Sequence, residues 1–494
     1  HYEAMTSEEI EKVENLVNEK IAESLCVTVR NMSMDEAKKE GAMALFGDKY
    51  GDVVRVVKVD DFSIELCGGT HIDNIAKIGL FKIESESGIA AGVRRIEAVT
   101  GLGAYELVKK MERTLKEIAK TVKSDEANVV ERVEKMTETM TNTFGNASAV
   151  NYYGRQARAI LDNSRHVIAE SINAKNDNEI VFTSGGTESD NTAIIQTAMA
   201  RKNEGRHLIT TAIEHEAVLK PMAYLEQEGF EVTYLPVDEY GQINLDDLKQ
   251  AIRSDTILVS IMMGNNEVGS HLPIKEIGEI VAPTNAWFHT DSVQTYGALD
   301  IDVQDLKVDL LSVSAHKLNG PKMLGFLYRR DGINFPSLIK GGDQELKRRA
   351  GTENVPAITG FAEAVSLLPA EVKEEHRQKY LSFKHQLVDG LKENEIDFEI
   401  NGHLEENQLP QIISIWFKGF ASDSLLTNLD LSGISAAAGS ACTAGSLEPS
   451  HVLAAMYGED SPRVAESLRF SFGINNTSED IDYLIKTLVK IIKK

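Results

Sequence analysis

The stretch LLSVSAHKLNGP (residues 310–321) is an apolar run that ends in serine, histidine and lysine and then meets a Gly-Pro pair. Such a run predicts a buried strand, and the Gly-Pro pair predicts the turn that follows it. Lys317 therefore lies just after a strand, beside Ser314 and His316. A lysine in a desolvated pocket loses its proton more easily and can form a Schiff base. A surface position is the alternative for a single lysine, and the apolar strand before it makes that alternative weaker.

Two other stretches place candidate ligand-binding residues at the ends of predicted strands. FHTDSVQTYG (288–297) places Asp291 at the end of a predicted strand, where a buried carboxylate can pair with a protonated ring nitrogen. VFTSGGTESDN (181–191) runs from a strand through glycines into a helix start. Unpaired amides at a helix N-terminus attract a phosphate, and glycines let it approach closely. Taken singly, Asp291 could be a helix cap and the glycines a plain strand–turn–helix.

A fourth stretch, GSACTAGSLEPSH (439–451), surrounds Cys442 with small residues. This segment cannot be regular helix or strand throughout, whereas structural cysteines more often lie in apolar runs. A thiol on such a loop can move to meet a substrate. Phosphate cradle, ring-nitrogen carboxylate, lysine and thiol together predict a pyridoxal-phosphate site with a nucleophile.

The surrounding pattern predicts an α/β fold. After Met136, apolar strands alternate with helical stretches about every 20–30 residues, which is typical of a mostly parallel sheet wrapped by helices. Residues from about 375 predict a smaller α+β lobe. Residues 1–100 instead predict an α+β unit, and 101–136 a long polar helix that is a stem or a solvated linker.

Bulk properties narrow the class of protein. A chain of 494 residues predicts two or three domains, and its net charge of −24 argues against a surface that coats nucleic acid. There is no run of about 18 apolar residues, so no membrane span is expected. Three cysteines, an odd count, favour a reducing, cytoplasmic location.

The order and spacing of these motifs resemble the fold-type I enzymes that use pyridoxal 5'-phosphate, with Asp291 lying 26 residues before Lys317. Within that class, SAHKLNGPKMLGFLY, RRAGTEN and GSACTAGSLEPSHVLAAMYG resemble the cysteine desulfurases of the class-V aminotransferase group. The resemblance covers 137–494 and implies a large domain with a mostly parallel sheet (137–374) and a small α+β C-terminal domain (375–494).

The resemblance implies a role for each matching residue. Lys317 would hold the cofactor and move protons, His215 would stack on its ring, and Cys442 would be the nucleophile. The other positions would bind the cofactor or orient the substrate carboxylate: Gly186, Thr187, Ser314 and His316 at the phosphate with Thr352 from a partner subunit, Asn266, Asp291 and Gln294 at the ring, and Asn146 and Arg469 at the carboxylate.

The implied activity converts L-cysteine to L-alanine and leaves a persulfide on Cys442. The implied partners are an iron–sulfur scaffold or a tRNA thiolation enzyme as sulfur acceptor, and a second copy of the chain in a homodimer. A selenocysteine lyase-like relative, an inactive fusion and a tRNA-binding or editing protein are the alternatives. The chain also departs from the desulfurase pattern: Asn151 in NASAVN replaces a histidine, and nothing before MTETMTNTFGNAS matches the usual N-terminal strand near the cofactor.

The first 136 residues resemble the editing domain of alanyl-tRNA synthetases and the stem that follows it. The resemblance rests on VVKVDDFSIELCGGTHIDNIAKIGLFKI (56–83) and SESGIAAGVRRIEAVTG (85–101). In that family Cys67 and His71 of CGGTH would bind zinc together with a His-x-x-x-His pair. The only other histidine before residue 137 is His1, so an incomplete, vestigial zinc site is expected, because catalytic zinc takes three protein ligands. Binding of tRNA is not expected.

Overall fold

The computed structural model describes residues 5–42, 51–90, 93–121, 137–439 and 449–493. The chain forms two compact units, His1–Glu126 and Ala127–Lys494. The second unit begins about ten residues before the boundary that the change in sequence pattern predicts, and the predicted boundary stays a prediction.

The N-terminal unit is an α+β structure. Its elements are α1 (Ser7–Ala22), β1 (Val27–Ser33), α2 (Met34–Lys39), β2 (Val53–Val59), β3 (Ser63–Leu66), β4 (Phe81–Ala90), β5 (Val93–Thr100) and α3 (Leu102–Thr121). Strands β1, β2 and β3 form an antiparallel sheet in that order, and β4 pairs with β5 as an antiparallel hairpin. The predicted stem helix is thus present from Leu102 to Thr121, and its continuation to residue 136 lies outside the described residues.

The start of α1 shows how the sequence sets these elements. Thr6 and Glu9 form a capping box, in which each side chain accepts a hydrogen bond from the other residue's backbone N–H. The helix is joined to the hairpin through Glu14, whose carboxylate accepts from Ile83 N at 2.7 Å and pairs with Lys82 Nζ at 2.5 Å.

The large sheet of the second unit has seven strands in the order β6-β12-β11-β10-β9-β7-β8. They are β6 (Ile180–Thr183), β7 (His207–Thr211), β8 (Glu231–Leu235), β9 (Thr256–Ser260), β10 (Trp287–Asp291), β11 (Leu310–Ser314) and β12 (Gly325–Arg329). Only β12 runs antiparallel to its neighbours. Every residue of β6, β7, β9, β11 and β12 is buried, as expected where helices cover both faces of a sheet. The prediction of a mostly parallel sheet is confirmed.

Helices precede these strands in the sequence, lie between them and follow them. They are α4 (Tyr152–Ser171), α5 (Gly186–Asn191), α6 (Thr197–Arg201), α7 (Glu216–Gln227), α8 (Leu245–Ala251), α9 (Ile274–Val281), α10 (Gln344–Lys347) and α11 (Val355–Ser366). A π-helical turn at Thr192–Gln196 joins α5 to α6, so one helical run leads from Gly186 to Arg201. Asn151, at the position where a histidine is expected, caps α4 by accepting from Gly154 N at 2.9 Å.

The remaining elements follow α11 in the sequence, and most of them form the predicted smaller lobe; the exception is the helix His451–Tyr457, whose Val452, Leu453 and Met456 pack in the core of the large sheet. The remaining elements are α12 (Ala370–Glu393), β13 (Phe398–Asn401), β14 (Ile412–Phe417), α13 (Ser422–Asp430), α14 (His451–Tyr457), α15 (Arg463–Glu466), β15 (Ser467–Ser471) and α16 (Ser478–Ile492). The three strands make an antiparallel sheet in the order β13-β14-β15 with a separate apolar core. Over the described ranges no single helix has the length and hydropathy to cross a membrane, and α11 and α12 meet that criterion only as a pair bent by 75°.

Candidate active site

A cleft of about 800 Å³ opens where β6, β10 and β11 end, and residues of the smaller lobe complete its wall. Ligands of open α/β sheets bind outside the carboxyl ends of the strands, so this is the expected place for a site. The residues predicted from sequence that line it are Gly186, Thr187, His215, Asn266, Asp291, Gln294, Ser314, His316, Lys317 and Arg469.

The glycine turn between β6 and α5 forms one end of the cleft. Gly185 has φ +146°, a conformation that side-chain-bearing residues rarely adopt. A Cβ on Gly186 would lie 2.6 Å from Cγ2 of Val293, so a larger residue at this position would force Val293 to shift. Thr187 follows on the first turn of the helix and is exposed. Bare backbone at the start of a helical run is suited to a phosphate group.

Ser314 and His316 lie at the same end. Ser314 Oγ is 2.7 Å from His316 Nδ1 across the end of β11. Both side chains line the cleft, where hydroxyl and imidazole groups can donate to an anion.

Asp291 is the last residue of β10 and is 6% exposed. Its Oδ1 accepts from Val293 N at 2.8 Å. Burial raises the pKa of Asp291, while that backbone hydrogen bond and the electrostatic effects of His215 and Lys317 act in the opposite direction. A buried carboxylate of this kind gains from a further N–H donor, such as a protonated ring nitrogen.

Lys317 lies on a 3-10 turn, Ala315–Leu318, which follows β11 directly. Its side chain is exposed within the cleft, and its charge acts on Asp291. The two residues come from neighbouring parallel strands, β10 and β11, which explains why a spacing of 26 residues brings them together.

Three residues line the cleft between these groups. His215 precedes α7, and its Nδ1 accepts from Ala217 N at 3.1 Å, so a neutral ring carries its proton on Nε2. Asn266 is buried, and its backbone carbonyl accepts a hydrogen bond from Arg469 Nη1 at 2.9 Å. Gln294 is half-buried, and its backbone carbonyl accepts a hydrogen bond from Gln411 Nε2 at 3.0 Å. This bond joins a residue that lines the cleft to the smaller lobe.

Two predicted residues are not among those that line the cleft. Asn146 is exposed, and its side chain accepts from Ser148 N at 2.9 Å in the turn before α4. Thr352 is exposed on the loop between α10 and α11. The roles of both residues stay predictions, as does that of Cys442, which lies outside the described residues.

The CGGTH turn brings Cys67 and His71 to the same place in the N-terminal unit. A Cβ on Gly69 would lie 3.8 Å from both Cys67 Sγ and His71 Cε1. Arg55 holds the turn by donating to the carbonyls of Cys67 at 2.7 Å and Gly69 at 2.6 Å. Within the described ranges, no group of three or more His, Cys, Asp or Glu side chains could hold a metal ion. These two residues alone do not fit a zinc centre, because such a centre takes three or four protein ligands.

Sequence reasoning missed a buried polar layer below the cleft. Asp190, on α5, also lines the cleft, and Glu214 precedes His215. Burial raises the pKa of Glu214 to about 8. His289 lies two residues before Asp291 on β10, so the two-residue period of a strand puts both on one face. That period was the available signal, whereas the position of Asp190 depends on packing between α5 and the sheet.

The described residues fit pyridoxal 5'-phosphate. The glycine turn, Ser314 and His316 would hold its phosphate, Asp291 its ring nitrogen and Lys317 its aldehyde carbon. Two observations support this fit. The bare backbone at Gly185–Gly186 leaves room for a phosphate, and a buried carboxylate at the end of β10 lines the same cleft.

Comparisons with known proteins agree with this geometry. The class-V aminotransferase family matches residues 125–484, and the chain belongs to that family. A relative from Bacillus subtilis described as putative cysteine desulfurase IscS 1 is 48% identical over 384 residues, which are 78% of this chain and 100% of the relative. The cysteine desulfurase IscS of Methanosarcina thermophila is 47% identical over 364 residues, 74% of this chain and 89% of the relative. Within the family the chain belongs with the cysteine desulfurases.

Solved structures give the same result. A NifS-like protein has a TM-score of 0.68 at 35% identity, over 74% of this chain and 95% of that chain. SspA in complex with cysteine has a TM-score of 0.60 at 36% identity, over 69% of this chain and 94% of that chain. Fold-type I architecture is therefore confirmed for the second unit.

Two further findings concern the N-terminal part. The second additional domain of threonyl and alanyl tRNA synthetases matches residues 54–97, which include CGGTH and confirm the resemblance noted from the sequence. The Bacillus relative is matched along its whole length and the Methanosarcina relative over 89% of its length, and the loss of the desulfurase N-terminal strand stays a prediction.

Proposed function

We propose that this protein is a cysteine desulfurase that uses pyridoxal 5'-phosphate to convert L-cysteine to L-alanine and carries the sulfur on Cys442. The observation that carries the proposal is one cleft lined by Lys317, Asp291 and the Gly185–Gly186 turn. Relatives that are described as cysteine desulfurases at 47–48% identity support the choice of reaction.

Each cofactor contact has a physical reason. Gly186, Thr187, Ser314 and His316 bind the phosphate through backbone amides and polar side chains. Asp291 pairs with the ring nitrogen, while Asn266 and Gln294 contact the ring oxygen. The cofactor, when bound, supplies an electron sink that weakens the bond between the substrate Cα and its hydrogen.

Lys317 is the residue that binds the cofactor and transfers protons, and His215 is the residue that contacts the face of the cofactor ring. Lys317 would hold the cofactor through Nζ, and Nζ, once the substrate amine has taken its place, would accept the proton from the substrate Cα and return it. His215 stacks on the ring and has Nε2–H free of the helix cap, because Nδ1 already accepts from Ala217 N.

Cys442 takes the sulfur. Its thiolate attacks the substrate sulfur, the carbon–sulfur bond breaks, and a sulfur–sulfur bond forms. The carbon that loses sulfur gains a proton and becomes the methyl group of alanine. Sulfur is oxidised and carbon reduced within the same pair of reactants, so the step needs no external oxidant.

Arg469 and Asn146 orient the substrate carboxylate in this proposal. Arg469 lies in the cleft wall, where its Nη1 donates to the backbone carbonyl of Asn266, and a guanidinium is the side chain best suited to bind a carboxylate. Thr352 reaches the phosphate of a second copy, so the active form is a homodimer.

The product persulfide passes to an acceptor protein, either a scaffold for iron–sulfur clusters or a tRNA thiolation enzyme, in a reducing cytoplasm. Two relatives carry the name IscS, which supports an acceptor of this kind. No step of the proposed reaction runs through a metal at Cys67 and His71.

The test is a direct assay of the purified protein loaded with pyridoxal 5'-phosphate. L-cysteine should yield alanine, and mass spectrometry should find one extra sulfur on the peptide that contains Cys442. Lys317→Ala should remove the yellow colour of bound cofactor, and Cys442→Ser should stop alanine formation while the colour stays. Cys26→Ser, a change at an exposed thiol, is the matched control. A coloured protein that makes no alanine from cysteine, or one that prefers selenocysteine, would refute the proposal.

A further inference from the structure

A half-buried ion pair lies beside the glycine turn at one end of the cleft. Glu188, which lines the cleft, is on the first turn of α5, two residues after Gly186. Arg349 lies on the loop that follows α10, and its Nε and Nη2 donate to the two carboxylate oxygens of Glu188 at 2.9 and 3.2 Å. The side chain of Glu188 is 8% exposed and that of Arg349 is 25% exposed. Neither residue is among the proposed cofactor contacts.

The carboxylate of Glu188 also holds the backbone of the glycine turn. Its Oε2 accepts from Ser184 N at 2.8 Å, across the turn Gly185–Gly186. Burial would raise the pKa of Glu188, but the hydrogen bonds from Arg349 and Ser184 outweigh burial, and the pKa lies below its ordinary value. Glu188 is therefore an anion at neutral pH. A negative charge beside a turn that is suited to a phosphate repels that phosphate unless a cation offsets it.

The loop that carries Arg349 is fixed by a second ion pair. Glu345 is 6% exposed, and its carboxylate accepts from Arg165 Nη1 and Nη2 at 2.7 and 2.6 Å. The same carboxylate accepts from Phe182 N, on β6, at 2.9 Å. Because β6 leads directly into the glycine turn, the loop and the turn are attached to the same strand.

The backbone at Glu345 is strained. Glu345, Leu346 and Lys347 have φ of +47°, +55° and +65°, so three consecutive residues other than glycine are left-handed. Such a conformation costs free energy and persists only where the surrounding contacts hold it, which makes it a sign of a functional constraint. Here the two ion pairs are those contacts, and the strained turn brings Arg349 to Glu188.

We propose that Arg349 is a positioning residue that offsets the charge of Glu188, so that the glycine turn accepts the phosphate of pyridoxal 5'-phosphate. Glu188 shapes the turn through Ser184 N, and Arg349 removes the electrostatic cost of a carboxylate at that place. The proposal rests on the proposed function only in placing the phosphate at this turn.

The experiment titrates the apoprotein with pyridoxal 5'-phosphate and, separately, with pyridoxal, which lacks the phosphate, and follows the absorbance of the bound aldehyde. The variants are Arg349→Gln, Arg349→Lys, Glu188→Gln and the double variant Glu188→Gln with Arg349→Gln. Lys347→Gln is the matched control, because it removes a positive charge from the same loop at a side chain that is 76% exposed. Thermal unfolding of each variant reports on the fold.

Arg349→Gln leaves the charge of Glu188 without its cation, so affinity for pyridoxal 5'-phosphate should fall about tenfold or more, as expected for a half-buried charge that loses its partner. Affinity for pyridoxal, which carries no phosphate charge, should stay within about twofold. Arg349→Lys keeps the charge and should retain most of the affinity for pyridoxal 5'-phosphate. Lys347→Gln should bind both aldehydes as the wild type does.

Glu188→Gln should not weaken the binding of pyridoxal 5'-phosphate, because its amide oxygen can still accept from Ser184 N. In the double variant both charges are gone, so affinity for pyridoxal 5'-phosphate should return to within about twofold of the wild type. Glu188→Gln thus rescues Arg349→Gln, which a purely structural role for Arg349 would not allow.

Unchanged affinity in Arg349→Gln would overturn the proposal. A double variant as weak as Arg349→Gln would also overturn it, because Arg349 would then act by its own contacts and not through Glu188. Equal losses for the two aldehydes would do the same, because they indicate general damage to the cleft. A wild-type protein with equal affinity for both aldehydes would refute the phosphate site and this proposal together. A protein that binds the cofactor as expected and forms no alanine would refute the proposed function alone.

Discussion

Asp190 Oδ1 lies 3.6 Å from His289 Nε2, and both side chains are almost completely buried below the cleft. The imidazole also bridges Ser260 Oγ at 2.8 Å and Ser312 Oγ at 2.9 Å, on the strands to either side. Burial lowers the pKa of His289 to about 3. Burial also raises the pKa of Asp190 well above its usual value, and the charge of Asp291 raises it further. Burial therefore favours the uncharged form of both groups.

The first prediction concerns Asp190→Asn. Asparagine has the same shape and keeps the uncharged form that burial favours at this position, so stability and cofactor affinity should change little. Asp190→Ala removes the polar group beside His289 and should cost about 1–3 kcal/mol of stability. Thermal unfolding and titration with pyridoxal 5'-phosphate measure both effects. If asparagine destabilises as much as alanine does, Asp190 is ionised and the interpretation is wrong.

The second prediction concerns Glu214, whose pKa burial raises to about 8 from an ordinary 4.5. Over the pH range between these values the folded chain binds a proton that the unfolded chain has released, so stability must fall as pH rises. Relative to Glu214→Gln, the wild type should lose on the order of 4 kcal/mol between about pH 4.5 and pH 8. Denaturant unfolding across that range measures the difference.

A matched control for Glu214 is Glu228→Gln, a change at an exposed position after α7. Its stability should follow the wild type at every pH. If the difference between wild type and Glu214→Gln is flat across the range, Glu214 is ionised in the folded protein.

The proposed cofactor contacts could be read from the sequence because they lie on short local motifs. About ten residues are enough to predict the backbone at each of three places: the apolar strand before Lys317, the strand end at Asp291 and the Gly185–Gly186 turn. Parallel pairing of β10 and β11 then brings these ends together. The sheet was predictable for the same reason, since buried parallel strands are apolar throughout.

The buried acidic residues around the cleft could not be predicted from the sequence in the same way. Asp190 and Glu267 are ordinary acidic residues in the sequence, and only packing brings them to His289 and Ser450. The bond from Ser450 to Glu267 spans 183 positions, which no local pattern signals. A role for Thr352 across a subunit interface lies beyond any pattern within one chain.

The third prediction concerns Gly186→Ala. The new Cβ would lie 2.6 Å from Val293 Cγ2, and Val293 N donates to Asp291 Oδ1, so the substitution disturbs both ends of the cofactor site. Affinity for pyridoxal 5'-phosphate should fall at least about tenfold, as expected when two binding contacts are weakened. Absorbance titration of the apoprotein measures it. Gly68→Ala, where a Cβ meets nothing within 4 Å, is the control. An unchanged affinity in Gly186→Ala would show that Val293 yields without cost.

The last prediction concerns Lys384 of α12, which is fully buried in the smaller lobe. Its Nζ donates to the carbonyl of Leu409 at 2.8 Å and to that of Leu404 at 3.2 Å, just before the cleft residues Pro410 and Gln411. Burial lowers the pKa of Lys384 to about 7 from 10.5, against the opposing charge of Glu405.

Between those two values the unfolded chain holds a proton that folded Lys384 has lost, so stability should rise with pH. Relative to Lys384→Met, the wild type should gain about 3 kcal/mol between about pH 7 and about pH 9.5. Denaturant unfolding at both pH values measures the gain. Lys392→Met, at an exposed position on the same helix, should leave the pH dependence of the wild type unchanged. If the difference between wild type and Lys384→Met does not vary with pH, the buried amine keeps its charge, and its two carbonyl partners offset the cost of burial.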